Sequence, residues 1–177
     1  MVHVDDIFAV GRKERCDRFC EDLSHLVPIN NLGELRWYAG CYYSRDKVTG
    51  LLTISQMSFT KKTVNQFGVT TGRNTPLSSD VFLEECDENE PDGVWPFREL
   101  VGSLMWLANQ ARPDISNAVR AAARVAHTPK LKHWEAARGI LEYLKVTSGY
   151  DITFQRSSGL ELMVYADAVY APKDTKR

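Results

Sequence analysis

Apolar and polar positions follow two different periods along this chain, and the change of period divides it. At the start, Met1-Val2-His3-Val4-Asp5-Asp6-Ile7-Phe8-Ala9-Val10 sets two carboxylates between short runs of Val, Ile and Phe. Such runs favour pleated, half-buried strands, and an Asp pair suits a tight turn. The stretch predicts a β-hairpin with Asp5 and Asp6 at or beside its tip. Strand alternation puts His3 and Asp5 on one face, with Val2 and Val4 on the other. Over residues 13–27 the period turns helical: Cys16, Phe19, Cys20, Leu23 and Leu26 form one stripe, and Pro28 ends it. Residues 37–44 and 51–55 read as two strands, with the turn 45–50 closing a second hairpin. A short amphipathic helix over 58–67 stops at Gly68.

The segment 70–96 has no usable period and holds three prolines, so it marks a boundary. Three helices follow. Residues 97–110 carry the stripe Phe97, Leu100, Val101, Leu104, Leu107 and Ala108. Residues 113–126 open with Pro at a first-turn position and bury Ile115, Val119 and Ala122. Residues 131–146 place Leu131, Trp134, Ala137, Leu141 and Leu144 on one side. Two short strands, 151–155 and 160–166, close the chain around Ser157-Ser158-Gly159. The fold class is α+β. The segments are a β-containing first part (1–69), a linker loop (70–96), a helical part (97–147) and a β-containing tail (148–177).

Composition adds bounds. An apolar fraction of 44% and a charged fraction of 25% are ordinary globular values for 177 residues. No apolar run approaches the length of a membrane span and no signal-peptide pattern is present, which predicts a soluble, intracellular protein, cytoplasmic or nuclear. The four cysteines show no metal-ligand spacing. Cys16 and Cys20, on the apolar stripe of the first helix, are expected as buried free thiols. The net charge of −1 conceals a segregated acidic run: Asp80, Glu84, Glu85, Asp87, Glu88, Glu90 and Asp92, with the remainder at +6. That basicity permits nucleic-acid contact, and the acidic run reads as a solvated loop.

Read alone, Asp5-Asp6 is either a solvated turn or a pair of hard oxygen ligands for Mg²⁺. His3-Val4-Asp5-Asp6 resembles the Tyr-Val-Asp-Asp catalytic hairpin of reverse transcriptases, with His in place of Tyr. Further stretches resemble the polymerase–RNase H region of copia-type LTR retrotransposon polyproteins, in the same order and spacing. They are Leu32-Gly33-Glu34-Leu35-Arg36-Trp37-Tyr38-Ala39-Gly40, Gly50-Leu51-Leu52-Thr53-Ile54-Ser55-Gln56, and the segment 97–108 continuing into Arg112-Pro113-Asp114-Ile115. The segment 133–145 resembles that family's thumb helix. Tyr165-Ala166-Asp167-Ala168-Val169-Tyr170-Ala171 resembles the opening RNase H motif, with Val169 in place of its next Asp and Tyr170 in place of Trp.

The resemblance implies a partial polymerase palm, a helical thumb and a truncated start of RNase H. It implies RNA-directed DNA synthesis by 3′-hydroxyl attack on a dNTP, with two Mg²⁺ clamping the reacting oxygens. Asp5 would be the direct metal ligand and Asp6 its assistant, and Asp167 the first RNase H carboxylate. His3, Trp37 and Tyr38 would lie near an RNA/DNA template–primer. Arg120, Arg124, Lys130 and Lys132 are candidate phosphate contacts, or an ordinary solvated helix face. The palm needs a further carboxylate and the fingers, expected upstream of Met1, and the other RNase H carboxylates are expected beyond Asp167. The chain is therefore expected to be inactive alone. The alternative is a non-catalytic module that binds nucleic acid or pairs with a polymerase subunit.

Overall fold

The structure is a computed structural model that describes residues 2, 3, 5–77, 93–157 and 159. The acidic run, the predicted strand 160–166 and Asp167 lie outside them. In the described residues the fold is α+β, with five α-helices, a two-stranded hairpin and a four-stranded antiparallel sheet. Strands β1 (Val2–His3) and β2 (Asp6–Ile7) pair antiparallel and lead into helix α1 (Lys13–Ser24). The main sheet has the order β3 (Trp37–Tyr38), β4 (Cys41–Arg45), β5 (Leu52–Ser55), β6 (Ile152–Phe154). Helix α2 is Met57–Gln66, α3 Phe97–Gln110, α4 Ser116–Arg124 and α5 Leu131–Val146, with a 3₁₀ turn Pro113–Ile115 before α4.

The strand expected over 37–44 is instead a hairpin. Ala39 and Gly40 form a two-residue turn between β3 and β4, with Trp37 opposite Tyr42 and Tyr38 opposite Cys41. Both turn residues have positive φ, 47° and 73°, the geometry of a type I′ turn whose twist matches that of its strands. Ala39 is the non-glycine residue that carries the steric cost. The next hairpin matches expectation: Asp46 Oδ1 accepts the backbone N–H groups of Val48 (2.8 Å) and Thr49 (2.7 Å), an Asx turn joining β4 to β5. Those hydrogen bonds, Thr49 foremost, hold the Asp46 carboxyl below its ordinary value.

Because the register pairs Tyr42 with Ser55, Ser44 with Thr53 and Tyr43 with Ile54, the sheet has two unlike faces. One carries Trp37, Tyr42, Ser44, Thr53 and Ser55. The other carries Tyr38, Cys41, Tyr43 and Ile54 on the side of the helices, where the Cys41 Sγ lies 3.8 Å from the Gln110 Oε1 of α3. Burial pushes the Cys41 thiol and the Tyr43 phenol up, keeping both protonated.

Helices α2–α5 enclose the core. Phe97, Leu100, Leu104, Leu107, Ile115, Ile140, Leu141 and Leu144 are almost wholly buried there. The stripe read from the sequence for α3 is the set that α3 buries. Of the stripe read for α5, Ala137, Leu141 and Leu144 are buried, Trp134 is half-buried against the core and Leu131 is 40% exposed; His133, Ala136, Ile140 and Tyr143 are buried beside them. Helix α2 closes with a Schellman motif, Val69 N–H to Val64 O and Gly68 N–H to Asn65 O, both 3.1 Å. Val64 and Val69 are both buried in the core, the apolar contact that accompanies this motif. Helix α1 departs most from expectation: none of its residues is buried, Cys16 and Cys20 are only half-buried, and Phe19 is 47% exposed. No described helix is long and apolar enough to cross a membrane.

Candidate nucleic-acid interface and carboxylate hairpin

The first hairpin places its two carboxylates differently from simple alternation. Asp5 lies in the turn, and Asp6 begins β2 opposite His3. The strand therefore ends before Asp5, and the residue in register with His3 is Asp6. Both aspartates are exposed. Just beyond, the Phe8 ring rests on Tyr38, with centroids 5.6 Å apart and planes tilted by 45°, which ties the hairpin segment to β3.

Adjacent β3 residues point to opposite faces, so the two aromatics proposed from sequence part company. Tyr38 is buried beneath Phe8; Trp37 is 60% exposed and packs against Tyr42 at 5.0 Å. Trp37 and Tyr42 open a groove of about 410 Å³ whose remaining lining includes Ser44, Thr53, Met57 and Asp151. Indole and phenol faces beside hydroxyl donors are the surface on which bases stack and phosphate oxygens are bonded. Of the residues named from sequence, Trp37 is the one on this open face.

Arg120 and Arg124 stand exposed on α4, on the side away from its buried Ala118, Val119 and Ala122. Lys130 is the N-cap of α5 and Lys132 lies in its first turn, both half-buried. These four belong to the helical bundle and do not line the Trp37 groove. The buried His133 accepts the Lys130 backbone N–H on Nδ1 at 3.0 Å, which places the ring proton on Nε2 and caps α5.

At the hairpin, Asp5 and Asp6 are the candidate donors for Mg²⁺. Two carboxylates supply the right hard oxygens, but the ion takes near-octahedral coordination. Among the described residues no group of three or more His, Cys, Asp or Glu side chains could hold a metal. Two carboxylates alone do not make a self-sufficient Mg²⁺ site.

No protein-family model matches the chain, and no solved structure matches it. Curated relatives do. A Saccharomyces cerevisiae protein named for transposon Ty5-1 is 29% identical over 94% of this chain and 55% of its own length. The retrovirus-related Pol polyprotein from transposon TNT 1-94 of Nicotiana tabacum is 29% identical over 95% of this chain. That from transposon RE2 of Arabidopsis thaliana is 29% identical over 97%. The chain's homologues are retrotransposon Pol polyproteins. The chain spans about half the length of the yeast relative (55%), and 13% and 12% of the two plant Pol polyproteins.

Elsewhere in the chain, Arg112-Pro113-Asp114-Ile115 matters in a way that the sequence reading missed. Arg112 is 2% exposed. It bonds both carboxylate oxygens of Asp114 (Nε at 2.9 Å, Nη2 at 2.7 Å) and the Thr147 carbonyl (3.0 Å) and hydroxyl (2.7 Å). Its guanidinium carbon lies 5.5 Å from the ring centres of Tyr143 and Tyr150. The Arg112 cation, bonded to the Thr147 carbonyl just past α5, also complements the negative end of the helix dipole there. Burial pushes the Asp114 carboxyl up, but the Arg112 and Tyr143 hydrogen bonds and the Arg112 charge outweigh it and hold the group below its ordinary value. Burial, then the bond to Asp114, raises the Tyr143 phenol. The cluster clamps the 3₁₀ turn to the end of α5; its role is structural. The one signal in the sequence is a polar Arg-x-Asp between two apolar helical stripes.

Proposed function

We propose that the chain is part of a retrotransposon reverse transcriptase, an RNA-directed DNA polymerase, running from the catalytic hairpin to the thumb and the start of RNase H. The observation that carries this reading is the exposed Asp5-Asp6 pair of the first hairpin, joined through Phe8 and Tyr38 to an open Trp37–Tyr42 face, in a chain whose homologues are Pol polyproteins. In this reading Asp5 and Asp6 contribute oxygen ligands to the Mg²⁺ that serves nucleotidyl transfer, and Trp37 and Tyr42 support the primer strand. His3, in register with Asp6, takes the place of the family Tyr beside the template–primer. Arg120, Arg124, Lys130 and Lys132 contact phosphates farther along the duplex, and Asp167 is the first RNase H carboxylate. When bound, Mg²⁺ supplies Lewis-acid stabilisation of the reacting phosphate.

The two-carboxylate donor set supports a second element of the proposal: these 177 residues alone do not polymerise. The test is primer extension on an RNA template with Mg²⁺ and dNTPs. The isolated chain extends nothing, whereas a Pol polyprotein carrying this segment extends primer and loses that activity on Asp5→Asn. Extension by the isolated chain, abolished by Asp5→Asn, would refute the inactivity of the segment. Full activity of the Asp5→Asn polyprotein would refute the catalytic assignment. The competing reading, a non-catalytic binding module, is favoured by the same incomplete donor set. It predicts salt-dependent binding of an RNA–DNA hybrid that Asp5→Asn leaves unchanged.

A further inference from the structure

A second groove opens at the other end of the sheet, on the face opposite Trp37. It holds about 540 Å³ between the β4–β5 turn and the exit of β6, and its lining includes Arg45, Lys47, Gly50, Phe154 and Arg156. We propose that Arg45, Lys47 and Arg156 form a phosphate cradle that grips the backbone of a single-stranded nucleic-acid segment, apart from the Trp37 groove. The inference rests on the reverse-transcriptase reading for the identity of the polyanion.

Three observations carry it. First, the fold gathers these cations from sequence-distant positions: β5 pairs with both strands, and Arg45, Leu52 and Phe154 form one cross-strand row. Second, Arg156 is held in place. Gly50 has φ +73°, and a Cβ on it would lie 2.9 Å from the Arg156 Cδ, so the arginine stem lies against the bare glycine. Third, the charge is unbalanced. Among the described residues none of the three cations is in an ion pair, and the one acid of the groove, Asp46, spends an oxygen on its own turn. Phe154, 52% exposed beside the cations, offers a ring on which an unpaired base can stack. Charge alone would suit an acidic peptide equally; the exposed ring favours a single strand.

The test titrates fluorescein-labelled oligo-dT with the full 177-residue chain across a KCl series, for wild type and R45Q/K47Q/R156Q. Each phosphate contact on a single strand contributes about 0.7 to the log–log salt slope, so losing three lowers the slope by about 2 and weakens binding about 100-fold near 0.1 M salt. Wild-type binding with the slope unchanged in the triple variant overturns the cradle and leaves the reverse-transcriptase reading standing. A wild type that binds no oligonucleotide overturns the cradle as well, and the reverse-transcriptase reading is then judged by primer extension. Displacement by poly-glutamate as effective as by unlabelled oligo-dT overturns it in favour of an acidic peptide. Should the variant unfold, the unaltered chain is photocrosslinked to 5-iodouracil-substituted oligo-dT. Crosslinks at Phe154 support the cradle, and crosslinks confined to Trp37 and Tyr42 overturn it.

Discussion

Asp114→Asn isolates the clamp that joins the 3₁₀ turn to the end of α5. The substitution keeps the size of the side chain but removes its charge and one acceptor. Arg112, 2% exposed, then keeps the Thr147 carbonyl and hydroxyl and the two tyrosine faces but has no counter-charge. Removing one partner of a fully buried pair costs about 3–5 kcal/mol. The Asp114 side chain is 33% exposed, so water compensates part of the loss, and about 2–3 kcal/mol is expected. For a chain of this size that lowers Tm by about 4–12 °C. The pH dependence carries the sign. Because the folded state holds the Asp114 carboxyl below its ordinary value, its contribution is full above the unfolded carboxylate pKa, about 3.9, and is lost as pH falls through the lowered folded value. Urea titrations of wild type and Asp114→Asn should therefore show the full gap near neutral pH and a narrowing gap below about pH 4. A gap under about 0.5 kcal/mol at neutral pH, or one that does not change on acidification, would refute the clamp.

Leu104, wholly buried in α3, should cost about 2–5 kcal/mol on Leu104→Ala in the same urea assay. Ala39→Asn should stabilise by about 0.5–1 kcal/mol, because Asn tolerates the left-handed conformation at φ 47°; no gain would mean that the turn is not type I′ in solution. His133→Ala should destabilise by about 1–2 kcal/mol through loss of the α5 cap, with His133→Asn recovering part of it. Amide exchange should be fast in β1 and β2 and slow in α3 and α5, since the hairpin is exposed and the helices line the core; slow exchange at Ile7 would contradict this.

The helical half was legible because its pattern is local. Apolar residues at 3.6-residue spacing, bounded by Pro96 and by Arg112-Pro113, leave little freedom over where α3 begins and ends. What was not legible depends on partners distant in sequence. The Ala39-Gly40 turn lacks the Asn-Gly or Asp-Gly signature, and the β-favouring Trp37-Tyr38 and Tyr42-Tyr43 on either side make it read as one continuous strand. For α5, size misled in part: Leu131 and Trp134 looked like core beside Ala137, Leu141 and Leu144, yet packing against α2 and α4 also puts Ala136 and Ile140 inside. Arg112 needs Tyr143, Thr147 and Tyr150 to complete its shell, and no local pattern announces them. At the candidate site, sequence located the Asp5-Asp6 turn but could not separate Trp37 from Tyr38, because alternation assigns faces only once the strand's partners are known.

The distribution of burial also bears on how the carboxylates could work. Helix α1 has an apolar stripe but buries none of it completely, so tertiary packing adds little to its stability. The hairpin before it has two-residue strands and exposed aspartates. The Phe8–Tyr38 contact ties this N-terminal unit to the sheet. A metal-binding carboxylate must be held to about half an ångström to contribute to catalysis, and such precision comes from packing around its supporting element. In this chain the packing is concentrated in α2–α5, away from Asp5 and Asp6. The half-exposed Phe19 and the half-buried Cys16, Cys20 and Leu23 leave the apolar face of α1 only partly covered. Among the described residues, the ring contact that supports the proposed metal-ligand role of Asp5 and Asp6 is therefore the one between Phe8 and Tyr38, and the precision of that role depends on it.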